Sequence, residues 1–185
     1  MNNRADRTQA GNQGANPLWR GIYAPRSYDV TGLPVTDDQG NQIWYSTSEE
    51  NPYWSIEHIR RQSESNRFFG NINLNYAITK WLQADLKIGA DVINSGYIGF
   101  DDKGVRSNGN TNSAGAGGLV DNKELARNLS SYFTLSGNRT VGDFNLSGTV
   151  GNEVVADYSN FLTTTGRSIT IPGFANLKNF TSFTT

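Results

Sequence analysis

The 185-residue sequence predicts an all-β fold, an antiparallel up-and-down meander of about four long strands. Two runs beginning at Arg67 alternate apolar and polar residues almost without error, and two more begin near Leu129. Their connections alternate between very short and very long. Composition agrees, because 20 Gly and 22 Asn against a single Met favour turns and strands over helices. A soluble β-sandwich and a transmembrane β-barrel share this alternation. The runs exceed the ~5–6 residues usual for soluble strands. Their polar face is Asn, Ser, Thr and Gly, as a wet lumen requires. Aromatics stand near the strand ends at Phe68, Phe69, Trp81, Tyr97 and Phe144, as an interfacial girdle requires. The pattern therefore favours a partial transmembrane β-barrel with long external loops, with a carbohydrate-binding sandwich as the alternative. Four strands cannot close such a barrel, since the smallest have ~8, so on this reading the chain is a piece of a larger one.

Residues 1–66 carry punctuation in place of a period: Asn16-Pro17, Ala24-Pro25, Leu33-Pro34 and Asn51-Pro52 mark a long loop. Helical spacing of Ile56, Ile59 and Arg60 suggests a short helix within 53–65. The first hairpin spans 67–94. Phe68, Ile72, Leu74, Tyr76 and Ile78 share one parity, and Leu82, Leu86, Ile88 and Val92 repeat it after the Thr79-Lys80-Trp81 turn. Opposed side chains lie on one face of a sheet. The odd turn thus pairs Ile78 with Leu82, Leu74 with Leu86 and Asn75 with Asp85. Residues 95–127 read as a second loop, including the low-complexity run Ser107–Gly118. The second hairpin spans 128–158. Leu129, Phe133 and Leu135 precede a turn at 138–143, and Phe144, Leu146 and Val150 follow it. One apolar set is odd and the other even, so the turn has even length; a turn at 138–143 pairs Gly137 with Phe144 and Phe133 with Gly148. Residues 159–185 read as a third loop.

A barrel puts Ile72, Leu74, Tyr76, Leu86, Ile88, Phe133, Leu135 and Leu146 against lipid. It puts Asn73, Asn75, Gln83, Asp85 and Lys87 in the lumen. A formal net charge of −1 and a pI of 5.8 remove the electrostatic case for nucleic acid. Zero Cys excludes disulfides and thiol chemistry, and one His excludes a multi-His metal site. No run reaches the ~18 apolar residues of a membrane helix. The first sixteen residues lack the apolar stretch of a signal peptide.

Several segments resemble the barrel region of the SusC/RagA family of TonB-linked outer-membrane transporters of Bacteroidetes. These are Asn51-Pro52-Tyr53-Trp54, Asn66-Arg67-Phe68-Phe69-Gly70-Asn71-Ile72-Asn73-Leu74-Asn75-Tyr76 and Thr79-Lys80-Trp81-Leu82. Pro17-Leu18-Trp19, Pro25-Arg26-Ser27-Tyr28-Asp29, Gly166-Arg167 and Ile171-Pro172-Gly173-Phe174-Ala175-Asn176-Leu177 resemble loops of the same family. The resemblance implies nutrient uptake of glycans or peptides through the outer membrane of a Gram-negative cell, energised through TonB. It also implies a SusD-like surface lipoprotein as partner. The plug, TonB box and closing strand of such transporters are not in this sequence, so the fragment alone is expected to transport nothing.

No catalytic set, cofactor site or metal site is expected. The single His58 lacks a recognisable nucleophile and reads as a loop histidine. Asp37-Asp38 and Asp101-Asp102 lack the spaced ligands of a calcium loop and read as solvated turns. Gly115-Ala116-Gly117-Gly118 lacks the Lys-Ser/Thr of a phosphate cradle. Trp19, Tyr23, Trp44, Tyr45, Tyr53 and Trp54 are the candidate contacts, because exposed aromatic faces stack on sugars or anchor a partner protein.

Overall fold

The computed structural model describes residues 2–7, 16–106 and 115–185, the first of these segments by its backbone alone. The elements in order are β1 (Asn2–Arg7), α1 (Pro17–Tyr23), α2 (Pro52–His58), β2 (Ile59–Ala77), β3 (Leu82–Asp101), β4 (Gly118–Val141), β5 (Phe144–Ile169) and β6 (Phe180–Thr184). A 3₁₀ turn at Leu177–Asn179 precedes β6. The strands form one sheet in the order β1-β2-β3-β4-β5-β6. It is an antiparallel meander, as expected, but an open one: β1 and β6 are edges, so the described strands close no barrel. Nor do they make the two layers of a sandwich. No helix among the described residues is long and apolar enough to cross a membrane.

The strands run well past the ends that the alternation marks. β3 continues to Asp101, β4 starts at Gly118 and β5 reaches Ile169. Apolar and polar residues fall on both parities there, as at Leu119-Val120 and Phe161-Leu162, so no alternation marks these extensions in the sequence. The run Ser107–Gly118 lies outside the described residues up to position 114.

The first hairpin has the expected register. Ile78 N–H donates to Leu82 O at 3.0 Å, and the Asn75 amide donates to Asp85. The second does not. Its turn is only Gly142-Asp143, so Ser136 Oγ meets Thr149 Oγ1 at 3.1 Å and Asn128 Nδ2 meets Asp157 Oδ1 at 2.6 Å. Partners therefore sum to 285, not the 281 that a turn at 138–143 requires. Phe133 lies opposite Asn152, not Gly148, and Gly137 opposite Gly148, not Phe144. The even length of the turn is retained, so the apolar parity still falls on one face. A glycine at φ +61° in the first central position supplies the positive φ that a two-residue hairpin demands.

The chain divides into two compact units. The first comprises, among the described residues, 65–94 and 124–160 together with Asn2. It is sheet alone, with one face apolar and the other polar. Arg67 clasps Asp91 on the polar face, Nε to Oδ1 at 2.9 Å and Nη2 to Oδ2 at 2.6 Å.

The second unit comprises, among the described residues, 3–7, 16–64, 95–106, 115–123 and 161–185 and holds the buried core. Trp54, Ile59 and Val105 form one cluster, with Val35 packed against it. Phe100, Leu119, Ile169 and Phe180 form another, joined by Ala175 and Leu177. β5 and β6 pair antiparallel here, with Ile169 opposite Phe180 and Thr165 opposite Thr184. Gly117 has φ +74°, and a Cβ on it would come within 2.5 Å of Ile169 Cδ1, so only glycine admits this packing.

Candidate functional site

The 1–66 segment is more ordered than its punctuation suggests. Asn16 and Asn51 each precede a Pro at the first helical position and cap a helix, accepting from Trp19 N at 3.1 Å and Tyr53 N at 2.9 Å. α1 packs against α2. α2 ends at His58 because Ile59 enters an extended conformation and begins β2. Within α2, Trp54 and His58 are four residues apart and so share a face. Their rings stack at 4.5 Å and 13°.

His58 is fixed from its other side by Asp102, whose Oδ2 lies 2.8 Å from Nδ1. A carboxylate can only accept, so Nδ1 is the donor and Nε2 remains. Asp102 is 1% exposed and also accepts from Lys103 N and Gly173 N, both at 2.8 Å. Its neighbour Asp101 is buried against Arg61, which also donates to Phe100 O at 2.8 Å. Both carboxylates are thus committed to internal partners and neither is a solvated turn residue. A second network surrounds the fully buried Glu50. It accepts from Gln42 Nε2 at 2.5 Å and Arg106 N at 2.7 Å, while Arg106 Nη1 donates to Ser46 O at 2.7 Å and Nη2 to Gln42 O. Asp37 shapes the neighbouring turn. Its carboxylate accepts from Gln39 N, Asn41 N and Asn41 Nδ2, and the Asn41 bonds hold its pKa below the usual carboxylate value.

These segments enclose a cleft of 660 Å³ within the second unit. Gln39 and Asn41 come from the Asp37 turn, Trp54 and His58 from α2, and Lys103 and Arg106 from the segment after β3. Pro172 adds an apolar side. Gln42 contributes wall only, since its amide is spent on Glu50, Gly104 O and Asn51 N. What remains is an imidazole backed by the buried Trp54, with an amide and two cations beside it. Such a set can hydrogen-bond hydroxyls or an anion. Among the described residues no group of three or more metal-ligating side chains forms.

The six candidate aromatics do not assemble into one surface. Trp54 and Trp44 are 2% and 8% exposed and belong to the interior. Trp19 is half-buried and packs its ring 4.4 Å from that of Tyr23. Tyr45 is exposed, yet one of its sides is taken by Tyr28 and Trp44, with centroids at 5.6 and 4.8 Å. Tyr45 Oη donates to Glu49 at 3.2 Å; burial, then the Glu49 charge, raises the phenol pKa. Tyr23, Tyr45 and Tyr53 are the exposed members of the six. Of the six, Trp54 alone lines the cleft. Sequence reasoning missed Gln39 and Arg106, which carry no motif. Trp54, His58 and the turn at Asp101-Asp102-Lys103-Gly104 are the parts of the cleft that the sequence marks.

Asn73, Asn75, Gln83, Asp85 and Lys87 share the polar face of the first unit, where Asn75, then Gln83, hydrogen-bond Asp85 and lower its pKa. Ile72, Leu74, Tyr76, Leu86, Ile88, Phe133, Leu135 and Leu146 share the opposite face. The two faces are as expected. The names lumen and lipid do not stand, because the sheet encloses nothing. The Gly115–Gly118 run is no free loop either: Ser168 N donates to Gly117 O at 3.1 Å and Ile169 N to Ala116 O at 2.8 Å.

No family model matches the chain, and no curated protein matches it. The SusC/RagA resemblance is therefore not upheld. With it fall the transporter function, the outer-membrane location, the membrane lipid contact, and the TonB and SusD-like partners, each of which rested on that family or on a closed barrel.

Proposed function

We propose that this chain is a carbohydrate-binding module that binds without turning its ligand over. The observation that carries the reading is the 660 Å³ cleft, where the Trp54–His58 stack meets the exposed Gln39 amide and the Lys103 and Arg106 donors. Sugar recognition needs converging polar groups for the hydroxyls beside a less polar wall, here the His58 ring backed by the buried Trp54, with Pro172. Binding without catalysis is supported by the state of the acids beside the cleft. Glu50, Asp101 and Asp102 are buried and each is bonded internally. A glycosidase needs two carboxyl groups facing the scissile bond.

A glycan array probed with the whole chain tests the reading. The expected result is retention of one glycan class, with no new reducing ends after prolonged incubation. Gln39→Trp fills the cleft from its exposed rim and is expected to abolish retention with an unchanged melting curve. Retention that survives Gln39→Trp, or no retention at all, would overturn the proposal.

A further inference from the structure

We infer that the cleft selects acidic glycans, those carrying uronate carboxylates or sulfates, over neutral ones. The inference rests on the carbohydrate reading above and names its substrate class. Its ground is the distribution of charge. Among the described residues the lining contains two cations, Lys103 and Arg106, and no carboxylate. Of the acids in the surrounding segments, the exposed Asp38 and Glu57 are not among the lining residues, and three others are bonded internally. Glu50 is fully buried beneath Gln42 and the Arg106 backbone, and Asp102 is spent on His58, Lys103 N and Gly173 N. Asp37 closes on its own turn.

Arg106 is the central element. Its guanidinium is held by two neutral acceptors, Ser46 O and Gln42 O, and by no carboxylate. The side chain is therefore positioned in advance, no carboxylate among the described residues bonds its guanidinium, and N–H groups beyond those two bonds remain. A fixed guanidinium loses little further entropy on binding and matches carboxylate or sulfate geometry. Lys103, exposed at the same cleft, adds a second positive charge. Bonds between charged partners are roughly twice as strong as neutral ones, so the acidic ligand gains where a neutral hydroxyl does not.

Calorimetry on the whole chain with matched oligosaccharides separates the alternatives. One arm compares oligogalacturonate with neutral galacto-oligosaccharide of equal length, and another uses chondroitin sulfate. The expected result is acidic binding about tenfold tighter than neutral at low salt, with most of the preference lost near 0.5 M salt. Lys103→Gln is expected to reduce the preference severalfold without changing the melt. Arg106→Lys, which keeps the charge and loses the fork, is expected to weaken acidic binding more than neutral binding. Preference for either the uronate or the sulfated arm supports the inference. Equal or tighter binding of the neutral oligomer overturns it and leaves the carbohydrate reading in place. An acidic preference untouched in both variants overturns it as well. Failure of every arm removes the carbohydrate reading itself.

Discussion

Asp102 joins three stretches of chain that are far apart in sequence: it bonds His58, 44 residues earlier, and Gly173, 71 residues later. Removing a buried acceptor leaves its donors unpaired, at about 1–3 kcal/mol each. Asp102→Ala should therefore lower stability by about 2–4 kcal/mol in urea titrations. Asp102→Asn, which keeps one acceptor for the two backbone N–H groups, should lose clearly less. Equal losses would mean that the charge, not the acceptor geometry, holds the segments. A second residue-scale prediction concerns acid. The bonds from Asn41 and the turn backbone to Asp37, and those from Gly32 and Thr31 to Asp29, lower both carboxyl pKa values from 3.8. A depressed folded pKa means that the unfolded chain takes up protons first as pH falls. The stabilisation is then complete above the ordinary carboxylate value and is lost as pH falls through the lower folded value. The urea midpoint should drop below about pH 4, and less steeply in Asp37→Asn. Little of this was legible beforehand. An Asp-Asp-Lys-Gly run looks the same in sequence whether its carboxylates face water or a histidine from a distant helix.

At the scale of elements, the two hairpins differ in what their turns reveal. Thr79-Lys80-Trp81 interrupts two clean apolar sets, so parity and turn position agree and the register follows. In the second hairpin Asn138, Arg139 and Thr140 are polar on both faces. They look like a loop and are strand, with Arg139 placed over the Trp81 ring at 5.6 Å. Parity survives a four-residue slip, which is why the faces were legible and the partners were not. The register can be tested by cross-linking. Ser136→Cys with Thr149→Cys should oxidise to an intramolecular disulfide, since the native side-chain oxygens already sit 3.1 Å apart. Ser136→Cys with Asn145→Cys, the pair that a turn at 138–143 would oppose, should stay reduced. Oxidation of the second pair alone would restore the longer turn. The short helices were half legible: Asn-Pro at 16–17 and 51–52 signalled loop punctuation and served as caps. The stretch from Ile59 to Asn66 became strand because β3 extends beside it, information that no local window contains.

At the scale of the molecule, the sheet of the first unit has its apolar face exposed among the described residues. Asn138 N donates to Trp81 O at 2.8 Å, and a Cβ on Gly89 would meet Ser130 Oγ, which places Leu86 beside Phe133. Leu74 pairs with Leu86 in the first hairpin, so Leu74, Leu86 and Phe133 form one apolar row across three strands. Phe68, Ile72, Tyr76, Leu146 and Val150 extend the surface, each more than half exposed. Proteins dissolved as monomers rarely present contiguous apolar patches above a few hundred Å², and such a surface binds apolar probes. The whole chain should therefore enhance the fluorescence of an anilinonaphthalene sulfonate dye in its folded state, before any urea is added. Leu74→Lys combined with Phe133→Lys places two charges in the central row and should cut that enhancement by about half or more. Asn73→Lys adds a charge one residue away, on the polar face, and should leave it unchanged, because alternation sends its side chain to the other side. Equal loss in both variants would trace the dye to electrostatics rather than to this face. No loss in either would place the dye elsewhere on the molecule.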